Sequence, residues 1–349
     1  MTDRDRWGLR GRVRECRLQR TWYSGACGTD RCEAEERGDT TDLEFRNDGS
    51  VVWRRHTNHD GSEWTSTYEY DGAGRLVTVR THNAAGRVDL QRHEYDDAGR
   101  LTRIVEQSSD ASARIAESFE YDATGQKTKT IHVDVRKQTP NTTYSWGVDG
   151  TDCFYSAPGA ARLAIAHNAN DQPIELLFHD KNGRTVSRVE FSYDEESRLV
   201  EEAQTMIVDA FPAEMLKGAS PAQLEALRAL YGAGVTRRVH RYDARGRRIE
   251  THMSMLGTLS RDSKRMTYND HGDLIAELSE YEQCDWNIDD QGQLSDSAHG
   301  SRVSRSEARF QYDYDVRGNW IKKVVQGRSG ADQEFRVSTI EERTLAYYE

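Results

Sequence analysis

The chain has 349 residues, 36% of them hydrophobic and 31% charged, and carries a net charge of −11 from 48 basic against 59 acidic side chains. With a pI near 5.6 and a mean hydropathy of −0.88, it argues against general affinity for nucleic acid or anionic membrane, and no stretch approaches the ~18 apolar residues of a membrane span. Five cysteines are too few for a disulfide scaffold. Cys27 and Cys32 are close enough to pair across a loop, and reduced thiols are the expectation elsewhere.

The first twenty residues hold seven Arg against Asp3, Asp5 and Glu15, without the aromatic interleaving of a polyanion site. Arg12-Val-Arg-Glu-Cys16 reads as an edge strand guarded by charge, and residues 1–42 as lead-in strands. The apolar core of about 7–15 residues that marks a secretory signal is missing. The chain as given is therefore expected to be soluble and cytoplasmic, with specialised export as the alternative.

From residue 43 a phrase recurs. Tyr70-Asp-Gly-Ala-Gly-Arg-Leu76 and Tyr95-Asp-Asp-Ala-Gly-Arg-Leu101 are its fullest copies. Each reads as a hairpin instruction: Asp71 opens a type I turn with its carboxylate facing backbone N–H groups, and Gly74 supplies the positive φ of a bulge that returns the chain to the sheet. Asp71 then faces Arg75, and Tyr70 faces Leu76. Asp96, Gly99 and Arg100 repeat the arrangement between Tyr95 and Leu101.

The frame also pairs Phe45 with Val51, Tyr193 with Leu199, Tyr268 with Leu274, Ile288 with Leu294 and Tyr314 with Trp320. Asp194, Asp243 (after Tyr242) and Asp315 stand at the turn-opening place. Ser197 replaces the glycine in one copy, and Lys127 and Arg248 replace the leucine in two, which removes the apolar pair there. His82, His167 and His179 occupy turn-entry places, so their spacing follows the repeat.

Turn openers at Asn47, Asn58, Asp71, Asn83 and Asp96 lie 11, 13, 12 and 13 residues apart, leaving about eight residues of strand between turns. Asp71, Asp96 and Asp122 are 25 and 26 apart, so the repeating unit has two strands. The fold class expected is all-β: an antiparallel meander of hairpins forming a curved or spiralled sheet, a partial shell, in one continuous domain over 1–349.

Residues 212–231 interrupt the meander. Ser220-Pro221 is a helix start with proline at the first position, and Leu224, Leu227, Leu230 and Tyr231 follow helical spacing. The expected helix is a plug or lid over the sheet, with partner docking as the alternative.

Further on, Asp285, Asn287, Asp289 and Asp296 partly match a calcium loop, the one cofactor candidate. Asp290 stands where such a loop needs glycine and Asp296 replaces its bidentate glutamate, which favours a surface acidic loop. His56 and His59 lie near one turn without a helical zinc motif. No nucleophile and base are spaced for catalysis.

The phrase and its period resemble the Rhs or YD-repeat family, over roughly residues 43 to 325. The opening Gly8-Leu-Arg-Gly-Arg-Val13 and closing Glu342-Arg-Thr-Leu-Ala-Tyr-Tyr348 resemble the ends of small free-standing members. The resemblance implies a strip of hairpins coiling into a hollow shell, as in bacterial polymorphic toxins, toxin-complex components and teneurins. The Asp-Pro-x-Gly-Leu self-cleavage core of the large toxins does not occur in the sequence.

About 18 strands at ~4.8 Å spacing would make a ring only ~27 Å across between backbones. That is too narrow for a folded toxin of about 100 residues, which is more than ~30 Å wide. The expectation is a non-enzymatic binding or scaffold protein. Trp53, Trp64, Trp146, Trp286 and Trp320 are candidate stacking faces for a carbohydrate, or anchors for a protein partner. The alternatives are a reduced shell component of a polymorphic-toxin system and a hydrolase on a β-scaffold, which would need a polar cluster within a groove.

Overall fold

Each turn is built by the residues that announce it. The Asp71 N–H donates to Arg75 O at 2.9 Å and the Gly74 N–H to Asp71 O at 3.0 Å, while Asp71 Oδ1 accepts the N–H groups of Ala73 and Arg75, both at 2.9 Å. Gly74 sits at φ 80° and Gly99 at 77°, where a Cβ would be strained. The register then shifts by a bulge between Glu69 and Tyr70, setting Tyr70 opposite Leu76. Tyr95 faces Leu101, Tyr193 faces Leu199, Tyr314 faces Trp320 and Phe45 faces Val51 in the same way.

The first turn corrects the spacing series. Its opener is Arg46, whose N–H donates to Ser50 O at 2.8 Å, and not Asn47. The turn entered at His167 has no glycine: Asn168 opens it and Asp171 takes the glycine place at φ 62°. An aspartate tolerates that left-handed conformation better than most residues.

A computed structural model describes residues 2–24, 35–109, 112–132, 143–148, 151–157, 159–211, 213–214, 216–256 and 260–349, with side chains at all of these except 24, 35–37, 132, 143–148, 151–154, 156, 284–286 and 295–301. Cys27 and Cys32 lie outside the described residues.

After a short helix α1 (Asp3–Arg6), the chain forms β1 (Val13–Ser24), β2 (Glu35–Phe45), β3 (Val51–Thr57), β4 (Glu63–Tyr70), β5 (Leu76–Asn83), β6 (Val88–Tyr95) and β7 (Leu101–Ser108). Next come β8 (Arg114–Tyr121), β9 (Lys127–His132), β10 (Thr143–Val148), β11 (Thr151–Ser156), β12 (Arg162–His167), β13 (Pro173–His179), β14 (Thr185–Tyr193) and β15 (Leu199–Met206). Helix α2 (Pro221–Gly232) precedes β16 (Thr236–Tyr242), β17 (Arg248–Met255), β18 (Ser260–Tyr268), β19 (Leu274–Ile288), β20 (Leu294–Tyr314), β21 (Trp320–Ser329) and β22 (Arg336–Tyr347). Twenty strands belong to one sheet, and β10 and β11 form a separate two-stranded hairpin. Neighbouring strands pair antiparallel, as the meander requires.

The expectation of an open, spiralled partial shell is corrected at the chain ends. β1 pairs with β2 on one side and with β22 on the other, so the sheet closes on itself there. Arg12–Cys16 is therefore not an edge strand: Val13 pairs with Tyr347, and Glu15 and Cys16 pair with strands on both sides. Tyr348 N–H adds a bond to Arg12 O at 2.9 Å, and the Arg12 guanidinium lies 5.8 Å from the Tyr348 ring centroid. The opening and closing phrases are two halves of one clasp.

Packing divides the chain into two compact units. The first comprises residues 1–115, 267–277 and 306–349, and the second 116–266 and 278–305. In the first, Leu9, Val13, Cys16, Leu43, Phe45 and Val51 form the core, with Trp7, Tyr68, Leu345 and Tyr347 against it. In the second, Leu163, Ile165, Leu176, Phe178, Val189 and Leu199 lead a larger apolar cluster. Strand alternation makes it: Val189, Phe191 and Leu199 are buried while Glu190 and Ser192 are exposed.

Candidate functional site

β15 to β18 give the second unit two contrasting faces. Residues on paired strands at matching register share a face, so Glu202, Arg238 and Met253 lie on one side, and Ala203, Arg237 and Ser254 on the other. The inner side carries a buried charged cluster. Glu202 and His240 are 1% and 4% exposed, and His240 Nε2 lies 2.8 Å from Glu202 Oε1. His240 Nδ1 lies 3.0 Å from Thr251 Oγ1.

The Tyr155 hydroxyl donates to Glu202 Oε2, and Arg238 reaches the same oxygen at 3.3 Å while its guanidinium lies 5.3 Å from the Tyr155 ring centroid. Gln204 donates to Ser187 Oγ, which donates to Thr205 O. A hydroxyl–imidazole–carboxylate line is an arrangement that can activate a nucleophile, but here carboxylate and imidazole are enclosed. Three donor groups converge on one carboxylate, which is how a buried charge is kept in a protein wall.

The outer side of the same strands bounds an open groove of about 520 Å³, and all of its lining belongs to the second unit. Arg237, Arg261, Glu280 and Glu282 place both signs of charge around Val239 and Val303, and Val303 is 70% exposed. Arg237 also forks onto Glu201 through bonds of 2.8 and 2.9 Å. This holds the Glu201 carboxyl below the usual range and the guanidinium above it.

The repeat tyrosines tie hairpin to hairpin. Tyr70, Tyr95, Tyr193 and Tyr242 donate to the carbonyls of Val51, Leu76, Pro173 and Leu199 at 2.9, 2.8, 2.7 and 2.6 Å. Each acceptor is the first strand residue after the preceding turn on that edge. The turn arginines complete the contact: Arg75 lies 4.6 Å from the Tyr95 centroid and Arg198 5.1 Å from that of Tyr242, while each also pairs with its own aspartate, Asp71 or Asp194, at 2.7 Å. Residues 70–114 match the family described as RHS repeat.

That segment carries an RHS repeat.

No curated protein matches it. Among solved structures it is similar to the TcdB2-TccC3-Cdc42 crystal structure at 12% identity, covering 92% of this chain and 19% of that one with a TM-score of 0.25. It is also similar to the Photorhabdus luminescens Tc holotoxin pore, at 13% identity, 92% and 18% coverage and a TM-score of 0.25. A porin-like protein from Bacteroides uniformis gives 11% identity, 96% and 98% coverage and a TM-score of 0.34. The chain spans about a fifth of the toxin-complex chains it matches.

The remaining sequence candidates fall at separate places in the sheet. Trp53 donates its indole N–H to Glu44, Trp64 packs on the His56 ring at 4.3 Å, and Trp320 is covered by Arg343 at 3.4 Å; all three are half-buried. The side chains of Trp146 and Trp286 lie outside the described residues, as do those of Asp285 and Asp296. Asn287 and Asp289 are exposed, and Asp289 Oδ1 accepts the N–H groups of Gln291 and Gln293 as a turn opener. Among the described residues no three His, Cys, Asp or Glu side chains are grouped to hold a metal.

His56 is buried against Thr41 Oγ1 at 2.8 Å and His59 is exposed, so the two do not converge. His167 sits at its turn, 3.3 Å from Lys127 O, with burial pulling its pKa down. Tyr268 and Leu274 flank a turn in which Asn269 N–H donates to Asp273 O at 3.0 Å, and Asp315 accepts the N–H groups of Arg317 and Asn319. At Arg248 the missing apolar pair is replaced by a cation over the Tyr242 ring, 6.0 Å from its centroid.

Helix α2 starts at the Ser220 cap and Pro221 as its sequence foretells, with Gln223 rather than Glu225 closing the capping box, but none of its residues is buried. It rests by its first turn on the hairpin at 288–292, where Ser220 Oγ and Gln223 Nε2 donate to Asp290 O and Ile288 O at 2.9 and 3.1 Å. A Cβ at Gly292 would stand 2.5 Å from Ala222 O, so glycine admits the helix. Among the described residues no helix is long and apolar enough to cross a membrane.

Sequence reasoning missed the Tyr155–Glu202–His240 cluster. Its signal is polar residues two apart on paired strands, Glu202 and Gln204 facing Arg238 and Thr236. The sequence does not say which face of those strands is enclosed.

Proposed function

We propose that the chain is a non-enzymatic β-scaffold that docks a protein partner in the outer groove of β16 to β20. The observation that carries the reading is the groove itself: exposed Val303 and half-buried Val239 amid Arg237, Arg261, Glu280 and Glu282. An apolar centre with a charged rim of both signs is the anatomy of a protein interface. The engaged indoles of Trp53, Trp64 and Trp320 make protein a better fit than carbohydrate, and the enclosure of Glu202 and His240 supports a structural role for the buried cluster.

The test is a photo-crosslinking residue at Val303, with Val316, a fully exposed turn residue, as control. One discrete protein adduct at 303, competed by unlabelled chain and absent at 316, supports docking. Equal labelling at the two positions would sink it. The RHS repeat at residues 70–114 favours a second reading, a reduced shell component of a polymorphic-toxin system; the adduct would then be an effector or its chaperone.

A further inference from the structure

We propose that the outer groove of β16 to β20 takes an extended segment of its protein partner, laid across the strands with an acidic, a basic and an apolar side chain in that order. This deepens the docking reading above and rests on it. Strand register sets the direction of the groove: Arg237, Ser254 and Arg261 stand at matching positions on β16, β17 and β18, and Val239, His252 and Ser263 form the next row. Glu280 and Glu282 on β19 and Val303 on β20 continue the lining, so the groove crosses five strands and is narrow along each. Four strand intervals of ~4.8 Å make about 19 Å, the reach of roughly six extended residues.

Two charges in the groove are unanswered. Elsewhere on this face an arginine meets an acid on a neighbouring strand: Arg237 pairs with Glu201 at 2.8 Å, and Arg241 and Arg265 with Glu250 at 3.2 and 3.5 Å. Glu280 has Arg305 at 3.8 Å. The side chains of Arg261 and Glu282 line the groove without an ion pair or hydrogen bond among the described residues.

An occupant therefore gains by bringing an anion to Arg261 and a cation to Glu282. Val303, 70% exposed on the next strand, suits an apolar side chain. The order basic, acidic, apolar differs when read backwards, so it admits one orientation of the segment. Strand addition is closed to it, because β16 and β17 are each paired on both edges; side chains must hold it.

The experiment selects binders from a phage-displayed library of random nine-residue peptides on the immobilised full chain, on Arg261→Glu/Glu282→Arg, and on the control swap Arg103→Glu/Glu94→Arg, an exposed pair 3.9 Å apart in the first unit. The native chain and the control should enrich peptides with acidic, basic and aliphatic residues in that order along the peptide, read in either direction. The groove swap should enrich basic, acidic, aliphatic, and should melt with the native chain, since neither residue has a partner to lose. A synthetic consensus peptide should bind Arg261→Gln and Glu282→Gln about tenfold or more weakly than the native chain.

No enrichment, enrichment without the charge order, or the same order on the native chain and the groove swap would overturn the segment. A crosslinked adduct at Val303 alongside any of these would leave protein docking standing, through a folded surface; the loss of both would remove both.

Discussion

Strands β5 to β7 and strands β12 to β15 are made by the same rule and packed in opposite ways. The first set lies in the region matched as RHS repeat, and the fullest Tyr-Asp phrases lead into its strands β5 and β7. None of its residues is buried. The second set is joined by degraded turns, with Asp171 and Ser197 in glycine places at φ 62° and 61°, yet it holds Leu163, Ile165, Leu176, Phe178, Val189 and Leu199, each at most 1% exposed. The turn motif directs the path of the chain, and a separate pattern of apolar residues decides where the core forms. A hairpin with a complete instruction survives without burial; one with a flawed instruction is held by it.

That contrast predicts the ordering of substitutions. Phe178→Ala should cost about 3–5 kcal/mol, while Leu90→Ala, half-buried on β6, should cost about 1 kcal/mol by its smaller loss of apolar burial, both read by urea unfolding. Similar losses at the two sites would erase the distinction. Breaking the enclosed cluster with Glu202→Gln should cost about 3 kcal/mol, because Arg238 and His240 lose the charge they face; a neutral result would mean the cluster is hydrated.

Smaller effects test the turns. Tyr95→Phe and Tyr242→Phe each remove one hydroxyl-to-carbonyl strap and should cost about 1 kcal/mol apiece, equally in the two regions. Ser197→Gly should stabilise by up to about 1 kcal/mol, since glycine adopts the left-handed conformation freely, whereas Gly74→Ala should destabilise by a similar amount.

The smallest effects follow pH. The backbone N–H groups and guanidiniums of Arg75, Arg100 and Arg247 hold the carboxyls of Asp71, Asp96 and Asp243 below their usual value. Their contribution is present above about pH 4 and lost as pH falls through the depressed folded values. Burial and then Asp3 push Tyr70 up to about 12; its contribution is present below about pH 10, where the unfolded phenol begins to ionise, and lost as pH rises toward 12. Tyr70→Phe should flatten the alkaline limb, measured as Tm against pH.

The local code was legible because it is local. Tyr70, Asp71, Gly74, Arg75 and Leu76 specify a turn, a bulge and a cross-strand register within seven residues, and each bond is satisfied inside the phrase. The capped start of α2 was legible for the same reason. Where a copy lacked its glycine, as at Asn168-Ala-Asn-Asp171, only the turn-entry place of His167 was legible, and at Arg46 the opener was misplaced by one residue.

Tertiary structure alone decided the rest. That Glu15–Trp22 pairs on both flanks depends on a strand more than 300 residues away, and no local propensity encodes that meeting. Glu202 and Arg238 meet across paired strands, but no local pattern says that their face is enclosed, where a carboxylate must find three donors. Hairpins are settled by bonds between near neighbours; burial is settled by which distant strands come to stand behind them.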